Sequence, residues 1–260
     1  MGPLDAAPLA AEPVAPPAAP RASIMPTAAG AAELNAAHGG LDARALIELA
    51  VGKLFPGRIA MVSSFGAESA VLLHLLASVD RGVPVIFIDT GRLFAETLAY
   101  RAELTDHLGL TDVRVVGPDA ARLAEADPAK ALWMVDPDRC CAVRKTEPLN
   151  AALEGFAAWF TGRKRFQTDL RSGLRTFEAD RGRIKVNPLA SWSGEDIAAY
   201  RERFQLPAHP LLAKGYPSIG CVPCTDRVLP GEDQRAGRWR GLGKTECGIH
   251  IPLEADGSGI

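Results

Sequence analysis

The chain has 260 residues, is 47% hydrophobic and carries a formal net charge of −2. That length buries a full core in one large domain, and the near balance of charge gives no global field for nucleic acid or an acidic membrane surface. No apolar run reaches the length of a transmembrane helix.

Met1 to about Gly30 is rich in Ala and Pro, with Pro16-Pro17 and Arg21 as its one basic residue. It reads as a disordered tail rather than a signal peptide, since it lacks a charged start and a continuous apolar segment, with a transit peptide as the weaker alternative. The cytoplasm is the expected compartment. Leu41 to Phe55 then reads as a helix, with Asp42 as its cap and an apolar stripe of Leu46, Leu49, Val51 and Leu54. Arg58–Val62 reads as a buried strand, Ser69–Ser78 as a helix and Val83–Asp89 as a second strand. Ala95–Leu108 is a helix and Val113–Val116 a third strand. Lys145–Leu153 and Gly194–Arg203 are further helices, and Ala157–Thr161 and Arg183–Val186 further strands. Strands alternating with helices predict an α/β fold with an open, mainly parallel sheet flanked by helices. Beyond about Pro207 the many Gly, Pro and basic residues predict irregular structure laid over the sheet.

Open sheets of this kind bind ligands at the C-terminal ends of their strands, and three loops fall there. Ser63-Ser64-Phe65-Gly66-Ala67-Glu68-Ser69 has the glycine, hydroxyls and following helix to cradle a phosphate or sulfate, or is a plain strand-to-helix turn. It lacks the Gly-Lys-Ser/Thr of a Walker A loop. Asp89-Thr90-Gly91 either faces a nucleotide or caps a helix. Gly162-Arg163-Lys164-Arg165-Phe166-Gln167, continuing to Arg171 and Arg175, offers guanidinium groups suited to bidentate phosphate or sulfate contacts, or is a solvated face.

The five cysteines divide into Cys140-Cys141, Cys221-x-x-Cys224 and a separate Cys247. Two disulfides and a spare thiol suit a small secreted scaffold better than this chain. Adjacent cysteines make a poor zinc half-site, because zinc pairs usually have two to four residues between ligands. Four thiolates suit an iron–sulfur cluster better, with Arg144 and Lys145 beside them to offset charge; their bland alternative is ordinary helix-surface charge. Cys247 has Lys244 and His250 within three residues and Arg238 and Arg240 shortly before, cations that favour a reactive thiolate.

Taken together, Cys140-Cys141-x-x-Arg144-Lys145, Gly215-Tyr216-Pro217-Ser218-Ile219-Gly220-Cys221-Val222-Pro223-Cys224-Thr225 and Glu246-Cys247-Gly248-Ile249-His250 resemble the assimilatory adenylyl-sulfate reductases. The Ser63–Glu68 loop and Asp89-Thr90-Gly91 are similar as well, and the likeness runs from roughly Ile59 to the end. One departure is Ser69, where the family commonly has Asp. The resemblance implies an adenine-nucleotide α-hydrolase-like sheet and reduction of adenosine 5′-phosphosulfate to sulfite and AMP. It implies catalysis by Cys247 with His250, through a Cys247 S-sulfonate that a thioredoxin or glutaredoxin-like thiol resolves. It implies one [4Fe–4S] cluster on Cys140, Cys141, Cys221 and Cys224, tuned by Arg144 and Lys145. Ser63, Ser64, Gly66, Asp89, Thr90 and Gly91 would hold the nucleotide, and Arg163, Arg171, Arg238, Arg240 and His250 would grip the phosphosulfate. The division expected is a tail over 1–30, a sulfonucleotide and iron–sulfur domain over 31–235, and a segment over 236–260 carrying the nucleophile. A homo-oligomer is among the expected assemblies; nucleic acid and membrane are not expected partners. Rivals are a 3′-phosphoadenylyl-sulfate reductase, which typically lacks the four cluster cysteines, an ATP-pyrophosphatase-type enzyme, which would want Ser-Gly-Gly-x-Asp-Ser, and a non-catalytic iron–sulfur module, which leaves Cys247 unexplained.

Overall fold

A computed structural model describes residues 24–250; residues 1–23 of the expected tail and 251–260 of the expected C-terminal segment lie outside the described residues. In chain order come α1 (Ala28–His38), α2 (Ala43–Leu49), β1 (Ile59–Val62), α3 (Ser69–Ala77), β2 (Val85–Ile88), α4 (Ala95–Leu108), β3 (Val113–Val116), α5 (Ala120–Ala126), α6 (Leu132–Val135), α7 (Pro137–Cys141), α8 (Glu147–Ala152), β4 (Ala158–Phe160), β5 (Phe177–Asp180), β6 (Arg183–Val186) and α9 (Gly194–Arg203).

The strands alternate with period two, and each face meets its own core. Ile59 and Met61 of β1, Val85 and Phe87 of β2, and Ala158 and Phe160 of β4 point into the larger core, with α1 to α4 and α9. Ala60, Ile86 and Trp159 point the other way, against Leu149 of α8, Leu153 and Ile249. The six strands run in the order β3-β2-β1-β4-β6-β5. Neighbours are parallel, with Met61 opposite both Val85 and Phe160, except that β5 pairs antiparallel with β6.

Local chemistry sets the boundaries. Asp42 caps α2 by accepting from the Ala45 N–H, Ser193 and Asp196 form a capping box at α9, and α4 ends on Gly109 in the left-handed region. Three expectations need correction. The tail expected to run to Gly30 overlaps α1, whose first turn is capped by Thr27 and buries Gly30 and Ala31. The helix expected over 41–55 is α2 followed by a wider π-turn at Ala50–Leu54. The helix expected from Lys145 is α8, preceded by a second π-turn at Ala142–Thr146. β5 is an addition, closed onto β6 by Arg181 and Gly182, both at positive φ (47° and 73°), as a two-residue hairpin requires. After Leu206 the chain holds short 3₁₀ turns and isolated bridges of Cys221 with Leu93 and of Thr225 with Arg238 among the described residues, the irregular layer expected there.

Candidate active site

The crossovers from β1 and to β4 leave in opposite directions, so a crevice opens at the carboxyl ends of these neighbouring strands. A cavity of about 440 Å³ lies there, within the range of small-molecule sites. In the loop after β1, Phe65 is fully buried at φ 46°, a strained backbone for a phenylalanine. Its ring meets Phe87 edge-on at 5.5 Å, its N–H donates to Ser63 Oγ (3.2 Å), and the next N–H, of Gly66, donates to Ser69 Oγ (2.9 Å). So held, Ser63, Ser64 and Gly66 line the cavity at the start of α3. Glu68 ties this loop to the one after β4: its carboxylate accepts from Gln167 Nε2 and pairs with the buried Lys164 Nζ, each at 2.8 Å.

After β2, Thr90 lines the cavity, whereas Asp89 and Gly91 form the turn beside it, Asp89 Oδ1 accepting from the Gly91 N–H at 2.9 Å. Arg163, Arg171 and Arg238 line the cavity too. Arg240 does not. It is exposed on the surface, where its guanidinium is paired at 2.8 Å with Glu232, so the geometry gives it no part in this cavity. Arg163 pairs with Glu178, and Arg238 packs 4.3 Å over the Trp239 ring and so close to Gly220 that a Cβ there would collide with it.

All five cysteines are free thiols. Cys140 and Cys141 end α7, which starts with the Asp136 cap and Pro137, and Cys221 opens the 3₁₀ turn that contains Cys224. These four line one small second cavity with Arg144 and Lys145. Burial pushes the Cys140 and Cys224 thiols up. Arg144 is buried, donating to Thr90 O (2.9 Å) and to Asp127 (2.8 Å). The two cavities share a wall: Thr90 Oγ1 lies 3.2 Å from Cys221 Sγ, and Lys145 borders both. Burial works against the Lys145 ammonium, but the sulfurs of Cys221, Cys247 and Cys141 hold it charged, above the usual lysine range.

Cys247 sits on the main cavity wall. A hydrogen bond with Cys141 holds its thiol well below the usual range despite burial, aided by Lys145, the Ile249 N–H and Lys244; Cys141 is pushed up in return. His250 stacks on Trp159 at 6.2 Å. Burial first, then Arg163, Lys185, Arg171 and Arg235, push its pKa far down, so the ring is neutral. Arg238 Nε, Trp159 Nε1 and His250 Nδ1, all on residues lining the cavity, are buried without a hydrogen-bond partner among the described residues. Such groups are costly unless something supplies partners.

The sequence profile of the phosphoadenosine phosphosulfate reductase domain matches residues 58–227. The chain belongs to this family. It is 54% identical to the adenosine 5′-phosphosulfate reductase of Chelativorans sp. (strain BNC1), over 86% of this chain and 93% of that one. It is 53% identical to that of Mesorhizobium japonicum (strain LMG 29417 / CECT 9101 / MAFF 303099), over 86% and 88%. Among solved structures, the phosphate complex of phosphoadenylyl-sulfate reductase from Candida auris superimposes with a TM-score of 0.66 at 26% identity, covering 78% of this chain and 98% of that one. As a member of the phosphoadenosine phosphosulfate reductase family the chain is an oxidoreductase.

The sequence reading missed several residues of the site. Trp159 alternates outward on an otherwise apolar strand and so reads as core. Arg235 and Lys185 carry no motif, and Gln167 lies in the loop after β4 without a role of its own. Glu246 sits in a motif that gives it no role, and Lys164 reads as part of a basic run; its partner Glu68 lies 96 positions away.

Proposed function

We propose that the chain reduces adenosine 5′-phosphosulfate to sulfite and AMP. The observation that carries this reading is the Cys247 thiol on the wall of a switch-point cavity that Lys145, Ser63, Ser64, Gly66 and Arg238 also line. The likeness to relatives named for adenosine 5′-phosphosulfate supports the choice of substrate. The Cys247 thiolate attacks the sulfur, the S–O bond to AMP breaks, and AMP leaves with the electron pair. The sulfonate remains as Cys247–S–SO₃⁻. A dithiol reductant of the thioredoxin type attacks Cys247 Sγ and expels sulfite, and its second thiol resolves the mixed disulfide. Sulfur gains two electrons, the dithiol loses two, and the Cys247 thiolate is restored. Ser63, Ser64, Gly66 and Thr90 hold the nucleotide and Arg163 and Arg238 face the phosphosulfate. His250, neutral, offers a hydrogen bond rather than a charge.

Cys140, Cys141, Cys221 and Cys224 would hold a [4Fe–4S] cluster. The fit rests on four free thiols converging on one cavity, with Lys145 charged between them and Cys247. Among the described residues no three His, Cys, Asp or Glu side chains group tightly enough for a single ion; a cluster takes each thiolate on a different iron. When bound, the cluster supplies structural and electrostatic support beside the nucleophile. A reducing, cytoplasmic setting suits five free cysteines.

The test is sulfite release with thioredoxin, comparing the two sulfonucleotides under identical supply. We expect a higher kcat/KM for the form without the 3′-phosphate; a ratio of one or below overturns that preference. Without reductant, sulfur label should be trapped on Cys247 and Cys247→Ser should be inactive. Label on another cysteine, or an active Cys247→Ser variant, overturns the mechanism.

A further inference from the structure

Glu246 immediately precedes the thiol and lines the same cavity, and its carboxylate is held there by side chains of the protein. Arg171 Nε donates to Glu246 Oε1 at 2.6 Å and Nη2 to Oε2 at 2.7 Å. Both side chains are nearly buried, at 9% and 10% exposure. The remaining fork nitrogen of Arg171 donates to Gln167, and Arg235 stands 3.8 Å from the same carboxylate while donating to Thr245 O at 3.2 Å. A two-point guanidinium–carboxylate contact sets orientation as well as distance. Farther along, Arg181 donates to Gly248 O (3.3 Å) and Lys185 to Ile249 O (3.1 Å). Thus the residues on either side of Cys247 are each held by a cation from another part of the chain, and the pair with Glu246 is the one made side chain to side chain. Arg171, whose sequence context suggested a grip on substrate, has its fork on an internal carboxylate instead.

We propose that Arg171 and Glu246 form a positioning pair that aims Cys247 across the cavity, and that Arg171 is not a grip on the sulfonucleotide. The inference rests on the role proposed above for Cys247. Misplacing a reacting atom by about 1 Å costs on the order of 10²-fold. Arg171→Ala and Glu246→Ala should therefore each lower kcat by about that factor, while KM and the affinity for AMP change less than about threefold. The double variant should be no worse than either single one, because both remove the same contact. Glu246→Gln, which keeps the shape and one accepting oxygen, should recover part of the loss. A second readout needs no turnover: the rate at which iodoacetamide alkylates Cys247, followed by peptide mass, should rise about tenfold or more in both single variants. A rise in KM and in the AMP dissociation constant of tenfold or more for Arg171→Ala alone would make Arg171 a substrate contact and overturn the proposal. Additive losses in the double variant, or unchanged alkylation in both single variants that still bind AMP, would overturn it too. If wild-type protein releases no sulfite, the proposed reaction fails while the alkylation rates still decide the pair.

Discussion

His209 shows how one buried side chain carries a pH dependence. The Leu211 N–H donates to its Nδ1 at 3.1 Å, so that nitrogen is unprotonated, and Nε2 faces Thr97 Oγ1 at 3.1 Å. Burial brings its pKa down from 6.5 to about 4. The neutral ring is the folded form, so its contribution to stability is complete above about pH 6.5 and is lost as pH falls toward 4, by on the order of 2 kcal/mol. Urea midpoints at pH 7.5 and pH 5 should differ by at least that much, and His209→Asn should remove its share while leaving that of His250, which burial also holds neutral; an unchanged slope in that variant would exonerate His209. At this scale the sequence is legible where chemistry needs rare residue types at fixed spacing. The cysteines separate into two pairs and one lone thiol on sight. Partners such as Glu68 with Lys164, or Asp127 with Arg144, are not legible, because common charged residues meet only after the chain folds.

At the scale of elements, α1 closes the sheet edge that β5 would otherwise leave open. Asn35 Nδ2 donates to Phe177 O at 2.7 Å and Asn35 Oδ1 accepts from the Phe177 N–H at 3.0 Å, so one side chain occupies a backbone pairing site on the edge strand. Asn35→Leu leaves both groups unpaired and should cost about 2 kcal/mol, read as a lower thermal midpoint with little change in KM. Thr27 caps the same helix. Deleting residues 1–23 should leave turnover within about twofold, less than ~1 kcal/mol in barrier, because that stretch carries none of the motifs. Extending the deletion through Gly30 removes the cap and first turn and should lower stability by about 1 kcal/mol or more. Equal stabilities for the two deletions would refute the capping argument. The helices Ala95–Leu108 and Gly194–Arg203 read from sequence to the residue. β5 did not, since Glu178 and Asp180 break its apolar pattern and its turn lacks the Asn-Gly signal. The two π-turns did not either, since a widened turn keeps the helical composition around it.

Across the whole molecule, the site is assembled from loops after β1, β2 and β4, the turn holding Cys221 and Cys224, and the segment with Cys247. The contact between Thr90 and Cys221 joins the main crevice and the cysteine cavity. Anaerobically purified protein should therefore contain about four iron and four sulfide per chain. Cys221→Ala should lose both and also weaken AMP binding, by roughly tenfold; full iron content in that variant would refute its place among the ligands. The parallel order was legible from alternating strands and helices, but the order β4-β6-β5 was not, because it depends on a hairpin the composition hides. Cys247 and His250 come late in the chain, after every strand among the described residues and after every other cysteine. Most of the cavity lining, from Met61 to Trp239, therefore precedes Cys247 in the chain, and on the reading proposed above the nucleotide pocket is encoded almost whole before the thiol that reacts with its contents. A message cut short just before Cys247 would thus encode a sponge for the nucleotide, competing with the full-length protein while performing no chemistry.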